Sequence, residues 1–265
     1  MRLAGIFSVE KRAKLLQNSG MITFNDVSKS YVLDVRGKKH RALNGLSFSV
    51  QAGESIGLIG PNGAGKSTSI RLLMDFIRPD IGQIELFGQK KRTPQMRANI
   101  GYLPDVAMFP PSLTVNDLLR FAAATCALPK SVLTERSEEI LSSLDIWESR
   151  HRQLKGFSKG MQQRANFAVA LINDPELLIL DEPMSGLDPI GRQKISDLIN
   201  RLKVQGKTIL FCSHILYDVD RLVDKILLMN MGNKLFFGAP QDLIQQEGVD
   251  TLAAAFVSRV EREGK

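Results

Sequence analysis

Apolar and polar residues alternate through MITFNDVSKSY from Met21, and again through ALNGLSFSV (42–50). Alternation sends successive side chains to opposite faces of an extended chain, so both runs predict strands. QAGE (51–54) supplies a turn after the second. The first 50 residues therefore read as an antiparallel β layer, with Met21 marking the start of the folded domain and a candidate translation start. SIGLIG (55–60) is apolar without alternation, which suits a strand buried on both faces of a mainly parallel sheet. A glycine-rich turn follows, then a helix predicted over about 67–77. GQIELFG (82–88) reads as a strand and IGYLPD (100–105) as a strand end. Over 114–148, Leu118, Leu119, Ala122, Ala123, Leu133, Ile140, Leu141 and Leu144 recur at helical spacing. Helices are predicted at 161–172, 190–204, 218–223 and within 241–260. Strands are predicted at 177–180 and 208–214, and a hairpin at KILLMN-MGN-KLFFG. This alternation of strand and helix argues an α/β fold with a parallel core. The purely helical stretch at about 106–160 looks like an inserted subdomain.

The chain of 265 residues is long enough for a sizeable core. A content of 43% hydrophobic and 24% charged residues excludes collagen-like, low-complexity and disulfide-scaffold classes. The two cysteines, Cys126 and Cys212, match no zinc spacing, and a reducing compartment is the expectation. No apolar run approaches the roughly 18 residues of a membrane span, and the N-terminus lacks the apolar core of a signal peptide. The expectation is a cytosolic chain unless a partner holds it at a membrane. The net charge of +7 is unevenly placed: residues 1–100 sum to +9 and residues 101–265 to −2. Residues 1–20 form a basic leader, and further basic clusters lie at 36–41 and 90–97. Such clusters can meet nucleic acid or anionic lipid; in loop-like contexts they read as solvated surface.

Gly60-Pro61-Asn62-Gly63-Ala64-Gly65-Lys66-Ser67 fits G-x-x-x-x-G-K-[ST], between a predicted strand and a predicted helix. A phosphate chain is dense negative charge with many acceptor oxygens. Glycines let the backbone turn tightly and aim N–H groups inward. The following helix adds its positive N-terminal end. Lys66 supplies a charge for the β- and γ-phosphates, Ser67 a hydroxyl for Mg²⁺, and Thr68 a donor for the α-phosphate. LLIL (177–180) then delivers Asp181 and Glu182 to the carboxyl end of a buried strand, where parallel sheets present functional groups. Asp181 can orient Mg²⁺, and Glu182 can serve as general base or polarise the attacking water.

Together these residues resemble the ATP-binding subunit of ABC transporters from about Met21 to the C-terminus. The resemblance rests on GPNGAGKST (60–68), LLILDEP (177–183), SGLD (185–188), FSKGMQQR (157–164) and Ser213-His214. It implies an α/β P-loop NTPase core with an N-terminal antiparallel β layer and an inserted helical subdomain. It implies that two ATPase subunits face head to tail, so that Ser158 and Gly160 of one cap ATP held by the other. His214 then becomes the switch histidine beside Glu182, and Tyr31 the aromatic that stacks on adenine. The signature reads FSKGM where the family's commonest form is LSGGQ, so Lys159 adds a cation while Ser158 and Gly160 are kept. Asp105 stands where the family carries Gln or Glu near Mg²⁺, one methylene shorter than Glu. Lysine-bearing signatures and IGYLP resemble the ABC-2, exporter-like branch.

The resemblance thus implies a hydrolase, with ATP and Mg²⁺ as cofactors, that energises an ABC transporter of exporter type. Its partners would be a second copy of the chain and separate membrane permease subunits docking near Asp105 and the helical subdomain. Its place would be the cytoplasmic face of the cell membrane, with no nucleic acid expected. The rival reading is a soluble ABC-type ATPase acting on ribosomes or nucleic acid. The basic first 100 residues favour it; a single ATPase domain without a long coiled coil disfavours it. A nucleotide sensor without turnover is disfavoured by Glu182 and His214.

Overall fold

The computed structural model describes residues 20–32, 39–106 and 109–263; the basic leader, save Gly20, lies outside them, as do residues 36–38 of the cluster at 36–41. In chain order the elements begin with β1 (Ile22–Val32), β2 (Lys39–Val50), β3 (Ser55–Ile59), α1 (Lys66–Leu73) and β4 (Ile81–Leu86). There follow α2 (Pro94–Ala98), β5 (Ile100–Leu103), α3 (Val115–Thr125), α4 (Lys130–Ser143), α5 (Lys159–Leu171) and β6 (Leu177–Asp181). The rest are α6 (Pro189–Val204), β7 (Thr208–Cys212), α7 (Leu216–Leu222), β8 (Lys225–Asn230), β9 (Asn233–Gly238), α8 (Pro240–Glu247) and α9 (Leu252–Glu263). The chain divides into two compact units, one of residues up to Thr93 with Val223–Lys265 and one of Pro94–Leu222.

In the first unit, β2, β1 and β4 form the expected antiparallel layer with β1 central. Phe24 sits opposite Phe48, and their rings stack with centroids 4.7 Å apart. All five residues of β3 are buried, which explains its unbroken apolar run. β3 runs parallel to β8, with Ile59 opposite Leu228. The Asp224 carboxylate fixes this register, accepting from the Ser55 amide at 2.8 Å and its hydroxyl at 2.6 Å. β8 returns as the expected hairpin with β9. α1 is shorter than the expected 67–77, because Asp75 takes a left-handed φ of 60°. α8 and α9 are joined by a buried ion pair in which Arg259 Nε donates to Glu247 Oε1 at 2.5 Å.

In the second unit, β5, β6 and β7 run parallel, with Leu103 opposite Leu180 and Leu180 opposite Phe211. Leu177, Leu178, Ile179 and Leu180 are fully buried. Each such side chain contributes about 1.5–3 kcal/mol of burial free energy, so β6 is a rigid base for the acids at its end. The helical run expected over 114–148 is two helices, broken where Ala127 adopts φ 53° just before Pro129. α3 starts with a capping box: the Asp117 amide donates to Thr114 Oγ1 at 3.1 Å and the Thr114 amide to Asp117 Oδ2 at 3.0 Å. α2 was not expected from the pattern, since five residues are too few to show a helical period.

Candidate active site

In the first unit, β3 hands the chain directly to the glycine loop. A Cβ on Gly60 would overlap the Met229 carbonyl oxygen on β8. At Gly65, φ is 108°, and a Cβ would lie 2.7 Å from the Ala42 carbonyl oxygen and the Leu43 side chain. The loop therefore nests against two strands because these positions lack side chains. The Gly232 amide donates to Ala64 O at 3.0 Å, pinning the loop from the β8–β9 turn. Lys66 Nζ folds across the loop and donates to Gly60 O at 2.6 Å and Pro61 O at 3.1 Å. α1 begins after Gly65 with no side-chain cap and no acid in its first turn. Its first amides have no intrahelical partner, and its dipole is positive there. Asn62, Gly63 and Ser67 are exposed, Pro61 and Lys66 half-buried, and Ala64, Gly65 and Thr68 buried. This is a cradle suited to an anion of several oxygens. Tyr31 lies on β1 opposite His40, half-buried, and its hydroxyl has no hydrogen-bond partner among the described residues.

In the second unit, Asp181 ends β6 opposite Cys212, and Glu182 follows with φ +50°. The Glu182 amide donates to Cys212 O at 2.8 Å. Its carboxylate is 16% exposed and held from three sides. The His214 amide donates to Oε1 at 3.0 Å, His214 Nδ1 lies 2.9 Å from Oε2, and the Ser213 hydroxyl donates to Oε2 at 3.4 Å. A carboxylate only accepts, so Nδ1 carries the proton. The rest of the imidazole faces outward, since the His214 side chain is 72% exposed. α7 follows the histidine. There burial pushes the Asp218 carboxyl up from its ordinary range, against the opposing charges of Arg192 and Arg221.

Ser158 caps α5: its Oγ accepts from the Met161 amide at 3.2 Å, which leaves its O–H free to donate elsewhere. Gly160 lies in the first turn of α5, close to the Gly186 carbonyl of the SGLD segment. Asp188 of that segment caps α6 by accepting from the Gly191 amide at 2.8 Å. Asp105 is exposed in the segment after β5. The second unit thus brings Glu182 together with His214, and the start of the signature helix together with the segment after the acids. Two residues escaped the sequence reading. Gln163 and Asn166, both buried on α5, donate to backbone carbonyls at the ends of β6 and β5. Their only sequence signal is polarity on a helix face that otherwise buries Phe167, Ala168 and Ala170.

Residues 43–185, more than half of the chain, match the family model described as "ABC transporter". The chain belongs to the ABC transporter family. It is an ATP-binding chain of that family and an ATPase. It is 42% identical over 205 residues to an uncharacterized ABC transporter ATP-binding protein of Nostoc sp., the alignment covering 77% of this chain and 61% of that one. It is 38% identical over 242 residues to Nod factor export ATP-binding protein I of Burkholderia lata, covering 87% of this chain and 75% of that one. A solved ATP-binding subunit of an ABC transporter superposes with a TM-score of 0.82 at 29% identity, covering 90% of this chain and 99% of that chain. The ABC ATPase therefore has the expected P-loop NTPase fold.

ATPases of this kind imply Mg²⁺. Among the described residues, no group of three or more His, Cys, Asp or Glu could cage a metal. Mg²⁺ prefers one or two protein oxygens together with substrate phosphates and waters. The Ser67 hydroxyl and the Asp181 carboxylate are oxygen donors of that kind.

Proposed function

We propose that this ABC ATPase powers export through separate membrane subunits, working as a head-to-tail pair of identical chains at the cytoplasmic face of the membrane. Support for export comes from the likeness to a Nod factor export ATP-binding protein. Among the described residues no helix is long and apolar enough to cross a membrane, and this reading gives the crossing to separate subunits.

In this reading ATP lies along the loop Gly60–Thr68. The amides of Gly63 and of Gly65 to Thr68, with the positive start of α1, meet its oxygens, Lys66 takes the β- and γ-phosphates, and Thr68 the α-phosphate. Tyr31 offers an aromatic face to the base. Ser67 and Asp181 hold Mg²⁺, which when bound neutralises charge on the phosphate oxygens. Asp105 stands by as a further, shorter-reaching oxygen donor. The partner's Ser158 and the partner's Gly160 donate to the γ-phosphate, so the nucleotide joins the two chains. Glu182 takes a proton from the attacking water; the new P–O bond forms at the γ-phosphorus as the bond to the β-phosphate oxygen breaks, leaving ADP and phosphate. Loss of that bridge lets the pair open.

The observation that carries the hydrolytic reading is the Glu182 carboxylate, held by Ser213, the His214 amide and His214 Nδ1 at the end of a buried strand. Sedimentation of the Glu182→Gln chain with ATP and with ADP tests the paired form. A pair with ATP and single chains with ADP are expected; single chains with both would remove the head-to-tail reading.

A further inference from the structure

Glu182 sits in a backbone conformation that L-residues rarely adopt. A positive φ strains a non-glycine residue and persists only where surrounding contacts over-determine it. Around Glu182 those contacts are unusually complete. Its N–H donates to Cys212 O at 2.8 Å, and its carbonyl accepts from the Ser185 amide at 3.0 Å. The same carbonyl accepts from Gln163 Nε2 at 3.2 Å, and the next carbonyl, that of Pro183, accepts from Nε2 at 3.0 Å. Gln163 is 7% exposed. Two carbonyl oxygens facing one side-chain amide can be satisfied only by its NH₂ end, which fixes the amide orientation by chemistry. These two hydrogen bonds of Gln163 go to the peptide groups beside the carboxylate and hold the backbone from which it projects.

Gln163 is also five residues after Ser158 on the helix whose first turn carries the signature. One turn further, Asn166, 1% exposed, donates to Pro104 O at 3.1 Å, next to Asp105. The signature helix therefore grips the ends of two adjacent strands through buried amides on one face. Apolar side chains such as Phe167 and Ala168, buried on the same helix, pack without fixing a direction. Buried amides aimed at backbone carbonyls are directional, and a directional contact transmits position.

We propose that Gln163 is a positioning residue for hydrolysis: it fixes the left-handed backbone of Glu182 and ties the attitude of the general base to that of the signature helix in the same chain. The inference rests on Glu182 being the base. Engagement of the signature by a nucleotide on the partner would then act on this chain's own carboxylate through Gln163, so the two hydrolytic centres of a pair are coupled by a helix.

The test is steady-state phosphate release and ATP affinity for the full chain, with Gln163→Leu, Gln163→Glu and Glu182→Gln in parallel. Gln163→Leu removes both donors and is expected to lower kcat about tenfold or more while ATP affinity stays within about twofold. Gln163→Glu turns an acceptor toward two carbonyls at neutral pH. Once protonated, its carboxyl can donate one hydrogen bond, so its kcat relative to wild type is expected to rise as the pH falls. A loss through packing alone would leave that ratio flat. The Glu variant keeps shape and volume, so it remains informative if Gln163→Leu does not fold. If both Gln163 variants keep wild-type kcat, or if the Glu variant's deficit is flat with pH, the proposal is overturned. If Glu182→Gln turns over normally, it is the reading of the base that falls instead.

Discussion

His214 grips Glu182 twice, through its backbone amide on Oε1 at 3.0 Å and through Nδ1 on Oε2 at 2.9 Å. The backbone contact survives any substitution that preserves the chain path; the imidazole contact does not. The side chain and the amide therefore have separable effects, and the side chain also brings the only titratable donor to that carboxylate among its described contacts.

Replacing His214 by Ala should leave Oε1 on the backbone amide and Oε2 with only the longer 3.4 Å contact from the Ser213 hydroxyl, so the carboxylate is held more loosely. Misdirected proton transfer typically costs about 10²-fold or more in rate. Phosphate-release kinetics should give a kcat lowered on that scale with ATP affinity changed only a few-fold. A matching loss of affinity would instead make His214 a binding residue.

Lys66→Ala removes an ammonium that the loop itself holds at 2.6 Å from Gly60 O. A hydrogen bond to a charged group is worth about 1.5–3 kcal/mol, so the ATP dissociation constant should rise by about tenfold or more. Titration of a fluorescent nucleotide measures this directly, and unchanged affinity would contradict the role of the loop.

Gly65→Ala asks a residue with a Cβ to adopt φ 108° with its Cβ 2.7 Å from the Ala42 carbonyl. Left-handed strain alone costs about 1–3 kcal/mol. Because the strain sits at the start of α1, the variant should show a lower melting temperature and weakened ATP binding together. A stable variant with normal affinity would show that the loop tolerates a shifted backbone.

Acid should loosen the C-terminal helices first at Glu247. Burial alone would raise its pKa, but hydrogen bonds from Ser258 and Arg259 and the charges of Arg259 and Arg262 outweigh that and bring it below its ordinary value. A depressed carboxyl stabilises the fold above its unfolded pKa and loses that contribution as the pH falls through the folded one. Stability should therefore hold above about pH 4.5 and decline below it. Glu247→Ala leaves Arg259 buried without its partner, a loss of about 3–5 kcal/mol. Thermal melts of both proteins across pH 3–7 check it: the variant should melt lower at pH 7, and the gap should narrow as acid removes the wild-type pair.

Much of this protein was legible before any coordinates. The spacing Gly60 to Ser67 is chemistry written as distance along the chain, and its strand–helix setting was visible in SIGLIG and the residues after it. The acids at 181–182 were equally clear, because LLIL could only be a strand buried on both faces. What was hidden depends on positions far apart in sequence. Gln163 reads as one more polar residue in QQR until α5 is laid on β6. Ser213 gains its role only when β7 pairs with β6 and brings it beside Glu182. Helix ends were missed for a local reason. Asp75 and Ala127 both take left-handed conformations that neither residue type announces, so α1 stopped early and the run over 114–148 split in two.

The measurement that bears most directly on the central claim is steady-state phosphate release by the Glu182→Gln chain supplied with ATP and Mg²⁺, set against wild type at equal nucleotide occupancy. An amide of the same shape can still accept from the His214 amide through its one oxygen, but it turns an NH₂ toward Ser213 and His214 Nδ1 and cannot take the proton from water. The account predicts turnover at least about 10²-fold slower with ATP still bound. Release at the wild-type rate would contradict it.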